Sequence, residues 1–417
     1  MMKKAFLTEL FRAANMRRWN DKIRHVELRE LDCQAHKMAI AYLLGRYEEL
    51  TYPRAVDWIA LIERGIFEFL ERLVTTDITP QVQRRIEKDE AVHRRLRKMV
   101  FEYFEFTLPD YDGFKNRFKQ YLSVSKKSSN NDTNARIIDA ASFCATRWEW
   151  YRIQEPNSED YEFEDIEEHF EREWRRFDDL QGISAYYQEA TPFTKAKTPY
   201  DQIKGFVDLC GNLRFQERWS HLHRVPRTSV LGHMFIVAIL SYLFSLEIEE
   251  TLKTEKCAKR RFNNFFGGLF HDLPEALTRD IISPVKERGG IGDIIKQFEQ
   301  EQMKNRIYNA KLIPDECFPE MQKFTENEFQ SRVIINGELV SKSSDEINQR
   351  YHEDAFSPID GEIIEAADNL AAFLEAYLAI QNGVVTAEFD RAVCMFKEEY
   401  KNKTIAGLHF GEIYIDF

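Results

Sequence analysis

Five sequence blocks recur in the same order in the two halves of this chain, and a repeat of that kind constrains the fold more than any single segment does. Arg18-Trp19 returns as Arg218-Trp219. Each pair precedes a histidine that opens an apolar helix, His36 in HKMAIAYLL and His233 in HMFIVAILSYLF. Gly65 to Val82 lies over Gly268 to Val285 with a one-residue gap. VSKKSS at 124–129 parallels VSKSS at 340–344, and Arg136 to Ser142 parallels Glu362 to Asp368. Chance matches would not keep their order, so the chain reads as a tandem duplication of one helical unit.

Helical periodicity dominates both units. Ile236, Val237, Leu240, Leu243 and Phe244 follow His233 at spacings of three and four, and Ile363, Ile364, Ala367, Leu370, Ala371, Leu374 and Leu378 repeat that stripe. Strand signals are few; Arg332 to Val340, turning at Asn336-Gly337, is the best hairpin. The fold class is mostly α. Seven of the ten residues from Glu159 to Glu168 are acidic and read as a solvated face or linker. With Pro192 and Pro199 they divide the chain into residues 1–155, a connecting segment at 156–200, and residues 201–417. Ser123 to Asn134 reads as a loop.

The stretch from Thr228 to Leu246 has nineteen residues without a formal charge, close to the roughly 20 that cross a bilayer. His233, two serines and a glycine interrupt it and no second span accompanies it, so it reads as a buried core helix and no membrane is implied. The N-terminal stretch is basic but broken by Glu9 and Arg12, unlike a secretory signal. Six scattered cysteines without a C-x-x-C pair fit a reducing compartment, and the expected location is cytoplasmic. The charge balance, 58 − 70 = −12, opposes binding to nucleic-acid polymers but leaves room for a small anion in a local basic pocket.

The second half carries the chemistry. His233, His271-Asp272 and Asp368 offer two imidazoles and two carboxylates, a donor set for one divalent ion such as Mn, Fe, Co, Zn or Mg. Pro274 can open a new helix after the His-Asp pair, placing Glu275 one turn past Asp272 and Asp280 five residues later. One carboxylate then serves the metal while a second lies within reach of a water activated there. Lys286 ends the segment and reads as a solvated lysine that could also meet an anion. His221-x-His223 reads as a loop feature.

These residues resemble the H…HD…D signature of the HD superfamily of metal-dependent phosphohydrolases, and within it the bacterial 5′-deoxynucleotidases most. That family has an Arg-Trp pair fourteen residues before the first ligand histidine, as Trp219 stands before His233 here, then His-Asp-x-x-Glu and a further Asp in a segment like Arg279 to Lys286. The resemblance spans about 205–385. It implies a helical HD bundle in which His233, His271, Asp272 and Asp368 hold the ion and Glu275 is the general acid/base. Arg218 would take the phosphate, and Trp219 and Asp280 would line the sugar side and favour a deoxyribose. Three features depart from the pattern. Gly232 stands where a Glu usually precedes the first histidine, Arg279 where Gly is common, and 96 residues separate Asp272 from Asp368. The long insertion could form a lid.

By the repeat, the first half keeps Arg18, Trp19, His36 and Asp77 but has Glu68-Phe69, Arg72 and Ser142 where His271-Asp272, Glu275 and Asp368 stand. Too few ligands remain for a catalytic metal, so a degenerate, metal-free copy is expected, acting as a built-in partner or as a nucleotide-binding regulator. Such a chain is a monomeric pseudo-dimer or a homodimer. The expected activity is phosphate release from 5′-deoxynucleoside monophosphates. The rivals are hydrolysis of nucleoside triphosphates, (p)ppGpp or cyclic nucleotides, and a nucleotide-binding sensor or scaffold that turns nothing over.

Overall fold

Helix boundaries fall where the sequence supplies caps. Asp57, Asp132 and Ser229 each accept a backbone N–H at a helix start, and Lys253 in the left-handed region closes the longest apolar helix. A computed structural model describes residues 2–76, 78–124, 132–188, 200–279 and 290–417. Asp77, Asp280, Lys286, and most of the 123–134 loop lie outside the described residues.

The chain is mostly helical, as the periodicity predicts. The helices used below are α1 (Lys4–Leu10), α2 (Glu30–Thr51), α3 (Trp58–Thr75), α4 (Thr133–Ile153), α5 (Phe163–Glu173), α6 (Tyr200–Asn212), α7 (Val230–Leu252), α8 (Ala258–Phe270), α9 (Glu275–Thr278), α10 (Gly361–Gln381) and α11 (Ala387–Tyr400). Hairpin β1 (Arg332–Ile335) and β2 (Glu338–Ser341) pairs Ile335 with Glu338 across Asn336-Gly337, both with positive φ, as the sequence predicts for a primed turn. Arg332 and Ile359 exchange backbone hydrogen bonds, which fastens the hairpin beside the start of α10.

In each half a long helix packs on two others: α2 on α3 and α4, and α7 on α8 and α10. Helix α2 also packs on α7, and α3 on α8, so a single apolar core runs through both halves. Tyr42 of α2 sits among Phe266, Phe270 and Phe324, with ring centroids 5.0–6.3 Å apart. Helix α7 is the one described helix apolar and long enough to cross a membrane, and its apolar window is wholly inside the protein. The acidic run leads into α5 and is not simply solvated: Lys22 Nζ lies 2.6 Å from Glu162 and 3.2 Å from Asp160, and Phe170 is buried.

Corresponding turns precede α2 and α7. An isolated bridge joins Arg17 to Arg29 and another joins Glu217 to Ser229, and Trp19 and Trp219 share a left-handed backbone. The helices then begin at Glu30 and Val230, which sets Cys33 level with His233. The pairing of His36 with His233 read from the sequence is therefore three residues out of register. His36 lies nearly one turn deeper, buried, with Nε2 2.8 Å from Val207 O and its ring edge-on to Trp148.

Burial, and then the nearby Arg214 charge, push the His36 imidazole down to about 3. The unfolded chain takes up this proton first, near pH 6.5. The contribution of His36 to stability is thus complete above that pH and declines as pH falls towards 3, by at most about 1.4 kcal/mol per pH unit. Denaturant unfolding from pH 6.5 to 4 should show a shallower decline for His36→Gln than for the parent. Equal slopes would contradict this assignment.

Candidate metal centre

The site is built where three helices bring their polar residues to one point. Ser229 caps α7: its hydroxyl accepts from Gly232 N at 2.9 Å and donates to Asp32 Oδ1 of α2 at 2.7 Å. One turn in, His233 is fully buried. Gly268 lets α8 approach α7 closely, because a Cβ there would stand 2.9 Å from Ala238 Cα. That approach sets His271, just past the end of α8, with its ring centroid 6.0 Å from that of His233. Helix α10 supplies Asp368.

His233 Nε2 lies 2.7 Å from Asp368 Oδ1; His271 Nε2 lies 3.2 Å from Asp272 and 3.9 Å from Asp368. The ligand atoms of His233, His271 and Asp272 fall within 4.8 Å of one another. His271 Nδ1 lies 2.8 Å from Gly268 O, and a carbonyl only accepts, so Nδ1 carries a proton and Nε2 is the nitrogen left to bind an ion once its own proton is displaced. That buried Nε2 makes no hydrogen bond. Burial alone would lower the His271 imidazole, yet Asp272 and Asp368 raise it to about 9. A pocket that holds a proton this firmly is charged to hold a cation instead. The two imidazoles and two carboxylates read from the sequence thus come together, and this N/O donor set fits a divalent ion.

Glu275 opens α9, is buried, and borders a cavity of about 170 Å³ with His271 and Asp272. Arg218 Nη1 is 3.7 Å from Asp272, so its guanidinium flanks the ligand cluster. Trp219 leans edge-on against Phe389 of α11. His221 and His223 join no metal-ligand cluster among the described residues.

One residue of this site escaped the sequence reading. Glu375, two turns beyond Asp368 on α10, is fully buried and gathers the Arg-Trp pair ahead of α7. It accepts from Arg218 Nε at 3.2 Å, from Trp219 Nε1 at 2.9 Å and from the Thr228 hydroxyl. Arg224 lies 3.9 Å away, and His233 Nδ1 is 3.4 Å from Oε1. Burial opposes the charge, but Arg224 and Arg218 hold the carboxyl well below the usual range. Glu149 does the same for Arg18 Nε and Trp19 Nε1 in the first half, at 2.8 and 2.9 Å. Ser142 to Glu149 and Asp368 to Glu375 are both steps of seven, the signal that would have found it.

Residues 210–395 match the HD domain family. They are an HD domain. The chain is also 25% identical over 181 residues to 4′-phosphooxetanocin A phosphatase of Priestia megaterium, which covers 43% of this chain and 76% of that protein. No solved structure matches the chain. The match and this likeness support a metal-dependent phosphohydrolase of the HD superfamily in the second half.

The HD domain departs from the pattern at Gly232 for a packing reason. A Cβ at Gly232 would stand 2.7 Å from Asp32 Oδ1 and 3.1 Å from Leu31, so the glycine is where α2 crosses the start of α7. Gly232→Ala should cost about 1–3 kcal/mol of stability in denaturant unfolding, and unchanged stability would show that the crossing yields freely.

Proposed function

We propose that this protein releases phosphate from 5′-deoxynucleoside monophosphates. The observation that carries the reading is the pairing of one phosphate-reading fork with one apolar wall, Arg218 and Trp219, on Glu375 beside the His233–His271–Asp272–Asp368 cluster. A divalent ion held by those four residues supplies Lewis acidity towards phosphate and water. Arg218 offers its planar guanidinium to the non-bridging phosphate oxygens and Trp219 walls the sugar side. Glu275 takes the proton of the attacking water and returns one to the leaving ester oxygen, so the products are inorganic phosphate and the free alcohol. Asp280, read from the sequence as facing the sugar, and Lys286, as meeting an anion, complete the reading. The relative's name designates a phosphatase of a 4′-phosphorylated compound, which favours a monoester over a triphosphate.

Residues 1–155 are read as a metal-free copy joined through 156–200 to the catalytic unit at 201–417. Cys33, Glu68, Phe69 and Ser142 replace the four ligands, and Lys37 Nζ pairs with Glu68 at 3.2 Å. The two copies are read as a pseudo-dimer, and the protein as a cytoplasmic monomer or a homodimer.

Phosphate release from ribo- and deoxynucleoside 5′-monophosphates with Mn²⁺, Co²⁺ or Mg²⁺ tests the activity. Deoxy-selective release is expected. No release from any monophosphate by the metal-loaded protein would overturn the reading in favour of triphosphates, signalling nucleotides or a sensor.

A further inference from the structure

The first half holds a cavity of about 160 Å³ bordered by Asn15, Arg17, Asn20, Glu30, Arg72 and Thr76. It adjoins the same Arg-Trp turn that the second half uses, and Arg72 stands where the repeat puts Glu275. Thr76 and Arg279, which correspond by the same spacing, both have positive φ, at the ends of α3 and α9.

The charges at this place differ in kind from those of the catalytic half. Arg18 is fully engaged, with Nε on Glu149, Nη1 on Glu30 and Nη2 on Thr146. Arg72 is not. Its Nε lies 3.3 Å from Glu30, and its two Nη groups make no hydrogen bond or ion pair among the described residues. Burial works against the Glu30 charge, but Arg18 and Arg72 bring its carboxyl down to about 2, and its charge is shared between those two arginines. Arg17 is exposed at the rim, with only a loose 3.6 Å pairing to Glu27. The Asn15 and Asn20 amides are exposed there too.

We infer that this cavity is a metal-independent binding site for a phosphate-sized dianion, a phosphomonoester or free inorganic phosphate, read by the open fork of Arg72 with Arg17 and the two asparagine amides. Arg72 suits the task because two parallel N–H donors match two phosphate oxygens. Arg72 and Arg17 together bring donors and positive charge to this cavity without a metal. With an arginine where the acid/base carboxylate would stand, the ligand is held and not cleaved. The inference stands on these residues alone and does not depend on the activity of the second half.

Calorimetric titration with inorganic phosphate and with 2′-deoxyadenosine 5′-monophosphate, in EDTA, tests it. One equivalent per chain should bind the parent protein and Arg218→Ala alike. Arg72→Ala should weaken binding about tenfold or more, and the exposed Arg17→Ala, chosen to leave the fold intact, should weaken it about threefold. Equal affinities for the two probes would identify free phosphate as the ligand, and tighter nucleotide binding a phosphomonoester; either result supports the site. Absence of binding by both probes, or binding lost in Arg218→Ala and unaffected by both first-half variants, would overturn it.

Discussion

Glu275→Gln is expected to lower phosphate release by about 10²–10⁴-fold while leaving the divalent ion bound, and Asp272→Ala to lose the activity and the ion together. The two residues are three apart and border one cavity, but their roles differ. Asp272 faces His271 Nε2 at 3.2 Å and belongs to the ligand cluster. Glu275 opens the next helix and stands outside that cluster. Glutamine keeps the size of Glu275 and removes its proton-accepting charge, so the loss should appear in kcat, with metal content unchanged. Metal lost in Glu275→Gln would make Glu275 a ligand instead. Full activity in that variant would remove it from the reaction.

Glu375→Ala carries the second large effect. It removes the single buried carboxylate shared by Arg218, Trp219, Thr228 and Arg224 and leaves the fully buried Arg224 without its counter-charge. A loss of about 3–5 kcal/mol in denaturant unfolding is expected, in the range for breaking a buried ion pair from one side. Glu375→Gln keeps an acceptor oxygen and should fold. Its Arg218 and Trp219 are less firmly placed, so KM for the phosphate substrate should rise about tenfold or more while metal content holds. A purely structural role would leave KM unmoved in Glu375→Gln. Glu149→Gln, which alters the equivalent hub of the first half, should leave KM at its parent value.

Much of this was legible in the sequence. The apolar stripes after His233 and after Ile363 became α7 and α10, and Asn336-Gly337 made the hairpin turn, because these features depend on residues close together in the chain. The four ligand candidates converged for a related reason: each lies at a helix end or on the inner face of a core helix. What the sequence obscured depends on distant contacts. Gly232 stood in the sequence only as a departure from the family pattern, yet Asp32, two hundred residues away, occupies the space a side chain would need. Glu375 drew no reading from the sequence, because nothing local shows that Arg218, Trp219 and Arg224 return to it. The register of His36 was misread because an apolar helix opening on a histidine matches at several offsets. The bridge ahead of each helix fixes Cys33 at that level instead.

The central claim, one metal-dependent catalytic unit beside a metal-free copy, is tested most directly by counting ions. The full chain should be equilibrated with Mn²⁺ or Co²⁺, freed of loosely bound metal, and measured by elemental analysis against protein concentration. One divalent ion per chain in the parent, and none in Asp272→Ala, is the predicted result. Two ions per chain, or one ion that survives Asp272→Ala, would contradict it.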